Sequence, residues 1–263
     1  MRNNNTKNLR YFIHSLGKGL DLLQILAKEA GPLTLSEIAH AMGTNNTTVT
    51  RLCYTLSELE FIQRDQQKRY RLSPKVLTLG YGAICGLEWR EVAKYYLERL
   101  FTEVQETANL SILQDTEILY LIRLRKRQYL PFDIRVGTTL PVYCTAMGKV
   151  LMAMGPPEKT VPVIEKLRFR RLAGRTITRL DKFLEELDNV RKKGYAINDE
   201  ELTVGNRAVA APVVNGQGYA IAAINIATPT TQYSRKEMEK KLAPLVMRTA
   251  QDISGALQQI ASI

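Results

Sequence analysis

Two histidines, three cysteines and one tryptophan are all that 263 residues hold of these side chains. Both histidines, His14 and His40, lie near the N-terminus, so no Cys–His nucleophile pair fits the remainder of the chain. Cys53, Cys85 and Cys144 are odd in number and far apart, which reads as free thiols in a reducing compartment. Clustered Cys/His spacing for a metal and Gly-rich phosphate loops are absent, and no cofactor is expected. No apolar run approaches the roughly 20 residues that a membrane helix needs. The opening MRNNNTKNLR lacks the apolar core of a signal peptide. It reads as a disordered arm over 1–11, in which Arg2, Lys7 and Arg10 are minor-groove candidates although fraying is the simpler description. Internal repeats and low-complexity tracts are missing as well.

What is present has the composition of an ordinary globular protein, 45% hydrophobic and 24% charged, with length for two domains. The net charge of +11 favours a polyanionic partner. Residues 1–73 hold 10 Lys+Arg and 6 Asp+Glu, a net of +4, leaving 27 and 20, a net of +7, for the rest. Spread this evenly, charge supports nucleic-acid binding only weakly.

Local pattern says more. Thr34 and Glu37 match a capping box before Leu35, Ile38, Ala39 and Met42, which share one face of a helix over 35–42. Gly43 ends that helix. A second begins near Thr44 or Asn45, with Val49, Leu52, Cys53, Leu56 and Leu59 on its apolar side. Its other side carries Asn46, Thr47, Thr50, Arg51, Tyr54 and Thr55, short hydrogen-bonders and one Arg where a solvated face would show Glu and Lys. Such side chains suit base edges and phosphates in a major groove, but a packed helical hairpin fits the same pattern. A preceding helix over about 15–30 has Leu16, Leu20, Leu23 and Leu26/Ala27 on one face and Gly31-Pro32 as its stop. Two β-prone runs, Phe61–Arg64 and Arg69–Leu72, flank a polar turn. Three helices and a basic hairpin are the parts of a winged helix-turn-helix over 12–73, its wing offering Gln67, Lys68 and Arg69 to phosphate. The context favours DNA.

Ser73-Pro74 reads as a helix start, Ser73 as N-cap. A linker helix is expected over 74–88, its pattern running on to about Gln105 with a soft spot near Gly80, Gly82 and Gly86. Trp89, Val92, Tyr96, Leu97 and Leu100 mark the later apolar side. From Asn109 the period becomes two, with a hairpin about Asp115-Thr116, a strand over Phe132–Val136 and a second hairpin about Asn215–Gly218. Helices fit 145–153, 157–167, 180–193 and 234–260. The fold class is α+β, with a GAF- or PAS-like sensor module on an antiparallel sheet over 89–263.

The segment Val136–Lys149 joins a strand end, a Gly/Pro loop and a helix start near Thr145. The free N–H groups of Ala146 and Met147 there suit an anion, and Gly148 would let a ligand approach; a capped helix without ligand fits equally. Gly194–Glu201 is the segment that would close the same pocket. Asn225 interrupts an apolar strand, as a satisfied core group or, by a slight margin, a ligand contact. Arg123, Arg125, Lys126, Arg127, Arg168, Arg170 and Arg171 could steer an anionic effector, but read mostly as solvated surface or subunit contacts. Cys144 near a helix start would be an activated thiol only with a base beside it, and the run Asp199-Glu200-Glu201 cannot all face one site. An enzyme is therefore disfavoured. It remains the runner-up, beside a constitutive DNA-binding protein whose second domain only oligomerises.

These residues resemble the IclR family of bacterial transcription regulators over about Phe12 to Ile260. The resemblance rests on Leu35-Ser36-Glu37-Ile38-Ala39, Thr47-Thr48-Val49-Thr50-Arg51-Leu52, Gly137-Thr138-Thr139-Leu140-Pro141 through Gly148-Lys149, Gly194-Tyr195-Ala196 and Ala210-Ala211-Pro212-Val213. Within the family, Leu72–Tyr81, Tyr143–Gly148 and Arg175–Thr178 are similar to the protocatechuate and β-ketoadipate regulators, the PcaR/PcaU/PobR branch. The resemblance implies a cytoplasmic, bacterial dimer or dimer of dimers on a double-stranded operator, with RNA polymerase as a further candidate partner. DNA contacts are then expected from Ser36, Thr44, Asn45, Asn46, Thr47, Thr48, Thr50, Arg51 and Tyr54, beside the wing residues Gln67, Lys68 and Arg69. It implies a small carboxylate effector, in this branch an aromatic acid or ring-cleavage product, at Thr145, Ala146, Met147, Asn198, Ala208, Asn225 and Ala227. Members that bind small keto acids carry an acid at the position of Asn198, Cys at Ala208 and serines at Asn225 and Ala227. The departures imply a roomier, less polar pocket here.

Overall fold

The structure, a computed structural model, describes residues 11–29, 31–126 and 134–260. Arg2, Lys7, Arg10, Arg127, Phe132 and Asp133 lie outside them. The chain divides into two compact units, Met1–Gly86 and Leu87–Ile263.

The first unit holds α1 (His14–Lys28), α2 (Leu35–Met42), α3 (Asn46–Glu58), β1 (Ile62–Arg64), β2 (Tyr70–Leu72) and α4 (Val76–Cys85). The capping box forms: the Thr34 backbone N–H donates to Glu37 Oε2 at 2.7 Å and the Glu37 N–H to Thr34 Oγ1 at 3.3 Å. Those bonds hold the Glu37 carboxyl below its ordinary range. Gly43 closes α2 at φ 60°, and Asn45 Oδ1 opens α3 by accepting from the Thr48 N–H at 2.8 Å. Leu22, Leu26, Ile38, Val49, Cys53, Ile62 and Tyr70 pack as one core.

Four expectations shift. The apolar side of α1 runs through Leu22 and Leu26, while Leu16 is 60% exposed and Leu20 also faces solvent. Leu59 lies past the end of α3 as its C-cap and is exposed. Ser73 does not open a helix at Pro74. Its hydroxyl donates to the Glu60 carbonyl and accepts from the Lys75 N–H at 3.1 Å, shaping a turn, so α4 starts two residues later. Gly80 and Gly82 sit within α4, and the break falls only at Gly86.

The second unit holds α5 (Trp89–Val104), β3 (Thr107–Gln114), β4 (Glu117–Leu124), β5 (Thr139–Pro141), a 3₁₀ turn (Val142–Cys144), α6 (Ala146–Met154), α7 (Pro157–Lys166), α8 (Leu180–Lys193), β6 (Ala196–Asp199), β7 (Asn206–Val214) and β8 (Ala220–Pro229). After β8 the expected final helix runs unbroken over 235–260, as α9 (Arg235–Glu237), a π turn (Met238–Leu242) and α10 (Ala243–Ile260). One six-stranded sheet has the order β5-β4-β3-β8-β7-β6, every neighbouring pair antiparallel. Alternation divides its side chains. Ala108, Leu110, Val209, Ala211, Ile224 and Ile226 meet α5 and α10 on one face, whereas Ile118, Tyr120, Ala208, Ala210 and Ala223 meet the α6–α8 side. The strand expected over 132–136 is not one where it is described. Arg135 accepts from the Thr138 N–H and Gly137 takes φ 91°, so the chain turns before pairing as β5 on β4. Among the described residues no helix is long and apolar enough to cross a membrane.

Candidate functional site

On the first unit, Ser36, Asn46, Thr47, Thr50, Arg51 and Tyr54 are exposed, and Val49 and Cys53 on the opposite side of α3 are buried. Burial pushes the Cys53 thiol up to about 11. Thr50 Oγ1 donates back to the Asn46 carbonyl at 2.8 Å, which leaves its lone pairs outward. Thr44 and Thr48 are only half-exposed, and Asn45 spends its side-chain oxygen on the cap. In the hairpin Gln67 and Lys68 stand at the tip, Lys68 at φ 61°. Arg69 does not stand free beside them. Its Nε lies 3.0 Å from Asp65 Oδ2 and its backbone N–H donates to Asp65 Oδ1, so it braces the wing while its side chain stays 42% exposed.

The second unit encloses a cavity of about 270 Å³, near the lower end of the roughly 300–1,000 Å³ usual for small-molecule sites. Of the seven expected effector positions, Thr145, Ala146, Asn198, Ala208, Asn225 and Ala227 line it. Met147 does not: its side chain is buried in the α6 core, where its sulfur accepts from Ser111 Oγ at 3.3 Å. Gly148 also serves packing and not ligand approach. A Cβ there would sit 2.3 Å from the Val142 carbonyl oxygen, so glycine lets α6 close on the 3₁₀ turn.

Thr145 caps α6, its Oγ1 accepting from the Gly148 N–H at 3.2 Å and donating to the Pro141 carbonyl at 3.1 Å. The Lys149 N–H closes the first helical turn on the Thr145 carbonyl. The N–H groups of Ala146 and Met147 are thus the ones that the first turn leaves over. Asn198 bridges two walls, donating to the Cys144 carbonyl and accepting from the Glu201 N–H at 3.2 Å. Its neighbours Asp199 and Glu201 do not line the cavity. Asp199 is held by Arg175 and Arg207, and Glu201 by Lys149 Nζ at 2.6 Å. Burial raises the Glu201 carboxyl against the pull of Lys149.

Sequence reasoning missed most of the opposite wall. Asn109 and Tyr120 reach the cavity from the sheet, Leu202, Thr203 and Val204 from the loop before β7. Arg123 is the largest correction. It lines the cavity, and its Nη1 donates to Asn109 Oδ1 at 3.0 Å. Its register opposite Asn109 is what a surface reading overlooked; Arg125, Arg168, Arg170 and Arg171 are exposed as expected. Among the described residues lining the cavity Arg123 is the sole charged one, and none is Asp, Glu, His or Cys. Cys144 lies behind the wall, its thiol pushed up by burial to about 12 and therefore no nucleophile at neutral pH. Burial likewise raises the Tyr120 phenol, which stays neutral as a donor and acceptor.

The IclR helix-turn-helix domain matches residues 15–66, and the bacterial transcriptional regulator IclR C-terminal domain matches 82–255. The chain belongs to the IclR family. As an IclR-family protein it is a DNA-binding transcriptional regulator with a C-terminal effector-binding domain. It is 29% identical to the Pca regulon regulatory protein of Pseudomonas putida, over 94% of this chain and 84% of that one. It is 30% identical to the p-hydroxybenzoate hydroxylase transcriptional activator of Acinetobacter baylyi, over 92% and 91%. The resemblance thus extends to the regulators of aromatic catabolism. Among solved structures a Rhodococcus sp. RHA1 chain matches at TM-score 0.77 and 35% identity, covering 95% of this chain and 100% of its own. An IclR homolog from Microbacterium hydrocarbonoxydans, solved with 4-hydroxybenzoate, shares the fold at TM-score 0.75 and 23% identity, covering 93% and 99%.

Proposed function

We propose that this regulator is controlled by a small carboxylate, an aromatic acid or its ring-cleavage product, held in the cavity of the second unit. The observation that carries this reading is the lining itself: Arg123 is its sole charge among the described residues, and a helix start with spare N–H groups at Ala146 and Met147, where the carboxylate would sit, forms one wall. The relatives that act on the Pca regulon and on p-hydroxybenzoate hydroxylase, and the 4-hydroxybenzoate complex, support the aromatic class. Asn46, Thr47, Thr50 and Arg51 are the proposed operator-reading residues, supported by their exposure on the side of α3 away from its core, with Ser36 and Tyr54 flanking them and Gln67 and Lys68 on phosphate. Exposed Leu77, Leu79 and Tyr81 on α4, the first 73% accessible, support pairing of two copies. RNA polymerase contact belongs to the same reading without assigned residues. Control requires that the ligand bind two states of the protein unequally.

The test uses a DNA fragment selected by the protein from a random library. Thr47→Ala and Arg51→Ala each weaken binding about tenfold or more, and Arg51→Ala lowers the salt dependence. Unchanged affinity in both overturns the DNA face. In parallel, 4-hydroxybenzoate, protocatechuate and adipate are screened by thermal shift, and a hit is added to the DNA assay. A hit raises Tm and alters operator affinity, whereas no stabilisation by any carboxylate points to a constitutive regulator.

A further inference from the structure

Asn109, on β3, stands directly opposite Arg123 of β4 and directly opposite Asn225 of β8. The three make one row across the sheet: Arg123 Nη1 donates to Asn109 Oδ1 at 3.0 Å, and Asn109 Nδ2 donates to Asn225 Oδ1 at 2.7 Å. An amide can turn either end toward a neighbour, but guanidinium can only donate. Arg123 therefore fixes the oxygen of Asn109 toward itself. That sends the Asn109 NH₂ to Asn225, which must answer with its own oxygen. The NH₂ of Asn225 is left over. Asn225 is only 4% exposed, lines the cavity, and among the described residues no group accepts from its Nδ2.

We infer that Arg123 acts through Asn109 to present Asn225 as an obligate hydrogen-bond donor, so that the cavity selects carboxylates bearing a second acceptor oxygen. The inference rests on the proposed function, which puts the carboxylate at the start of α6 and leaves Asn225 for the other polar group. A ligand with only a donor at that point leaves two N–H groups facing each other. A keto, nitro, carboxylate or phenolic oxygen accepts. Polarity set by a distant cation gives the choice a direction that shape alone does not supply. Arg123 is here a positioning residue, whatever further attraction its charge adds.

The test pairs 4-nitrobenzoate, an acceptor, with 4-aminobenzoate, chiefly a donor of similar size, in titrations of the full chain. The expected result is that the nitro compound binds about tenfold tighter, the worth of one hydrogen bond. Arg123→Gln and Asn109→Leu bring the ratio toward one, and Asn225→Asp reverses it; thermal melts certify that each variant is folded. A ratio near one in the unmodified protein, or one that Arg123→Gln and Asn109→Leu leave unchanged, overturns the inference, since a purely electrostatic Arg123 alters both affinities alike. If neither benzoate binds, the ligand class of the proposed function fails, and side-chain amide exchange by NMR still decides the row. Asn225 amide protons should then exchange faster than those of Asn109, with the difference lost in Arg123→Gln. Equal protection of both in the unmodified protein sinks it.

Discussion

Lys149 is 1% exposed, yet its ammonium is fully employed: Glu201 at 2.6 Å, the Ile197 carbonyl at 3.1 Å and Glu186 at 3.2 Å surround it. The sequence showed it only as one residue of a family motif beside Gly148. Its partners lie far along the chain, so spacing carried no trace of the pairing. Removing one member of a buried pair strands the other, at a cost of about 3–5 kcal/mol. Lys149→Met should lose that much in urea unfolding, and Lys149→Met/Glu201→Gln should recover at least half. A double variant no better than the single would mean that packing, not stranded charge, sets the cost. Arg123 shows the same blindness from the other direction. An Arg near a strand end reads as surface until the register places it beside a buried Asn.

Elements were legible where their signals were local. The capping box, Gly43 and the alternation from Asn109 all act within a few residues, and α2, α3, β3 and β4 follow them. The misses share a cause in distant partners. Leu16 and Leu20 have helical spacing but no core to meet within their unit, and β5 forms only where β4 offers its edge. Gly148 belongs at this scale too, because it governs how a helix meets the turn before it. Gly148→Ala gains intrinsic helix propensity but drives a methyl into the Val142 backbone. A net loss of about 1–3 kcal/mol is expected in thermal unfolding; a gain would mean that the 3₁₀ turn yields freely.

Across the whole molecule, the charge of +11 belongs to both units and so identified neither site; the family pattern and the two units did more. Six of seven expected effector positions line the cavity because the resemblance carried them, whereas its sheet wall needed the strand order β4-β3-β8 to become visible. That order has a consequence in time. Asn109 and Asn225 are 116 residues apart, so the cavity floor does not exist until β8 has docked on β3. A ligand held there meets nothing in a partly made chain. It should slow unfolding and leave the refolding rate nearly unchanged, since its contacts appear only after the late, long-range pairing. Stopped-flow chevrons with and without a bound carboxylate would register this as a shift of the unfolding limb alone. In a cell, the metabolite would then lengthen the life of finished molecules without hastening the making of new ones.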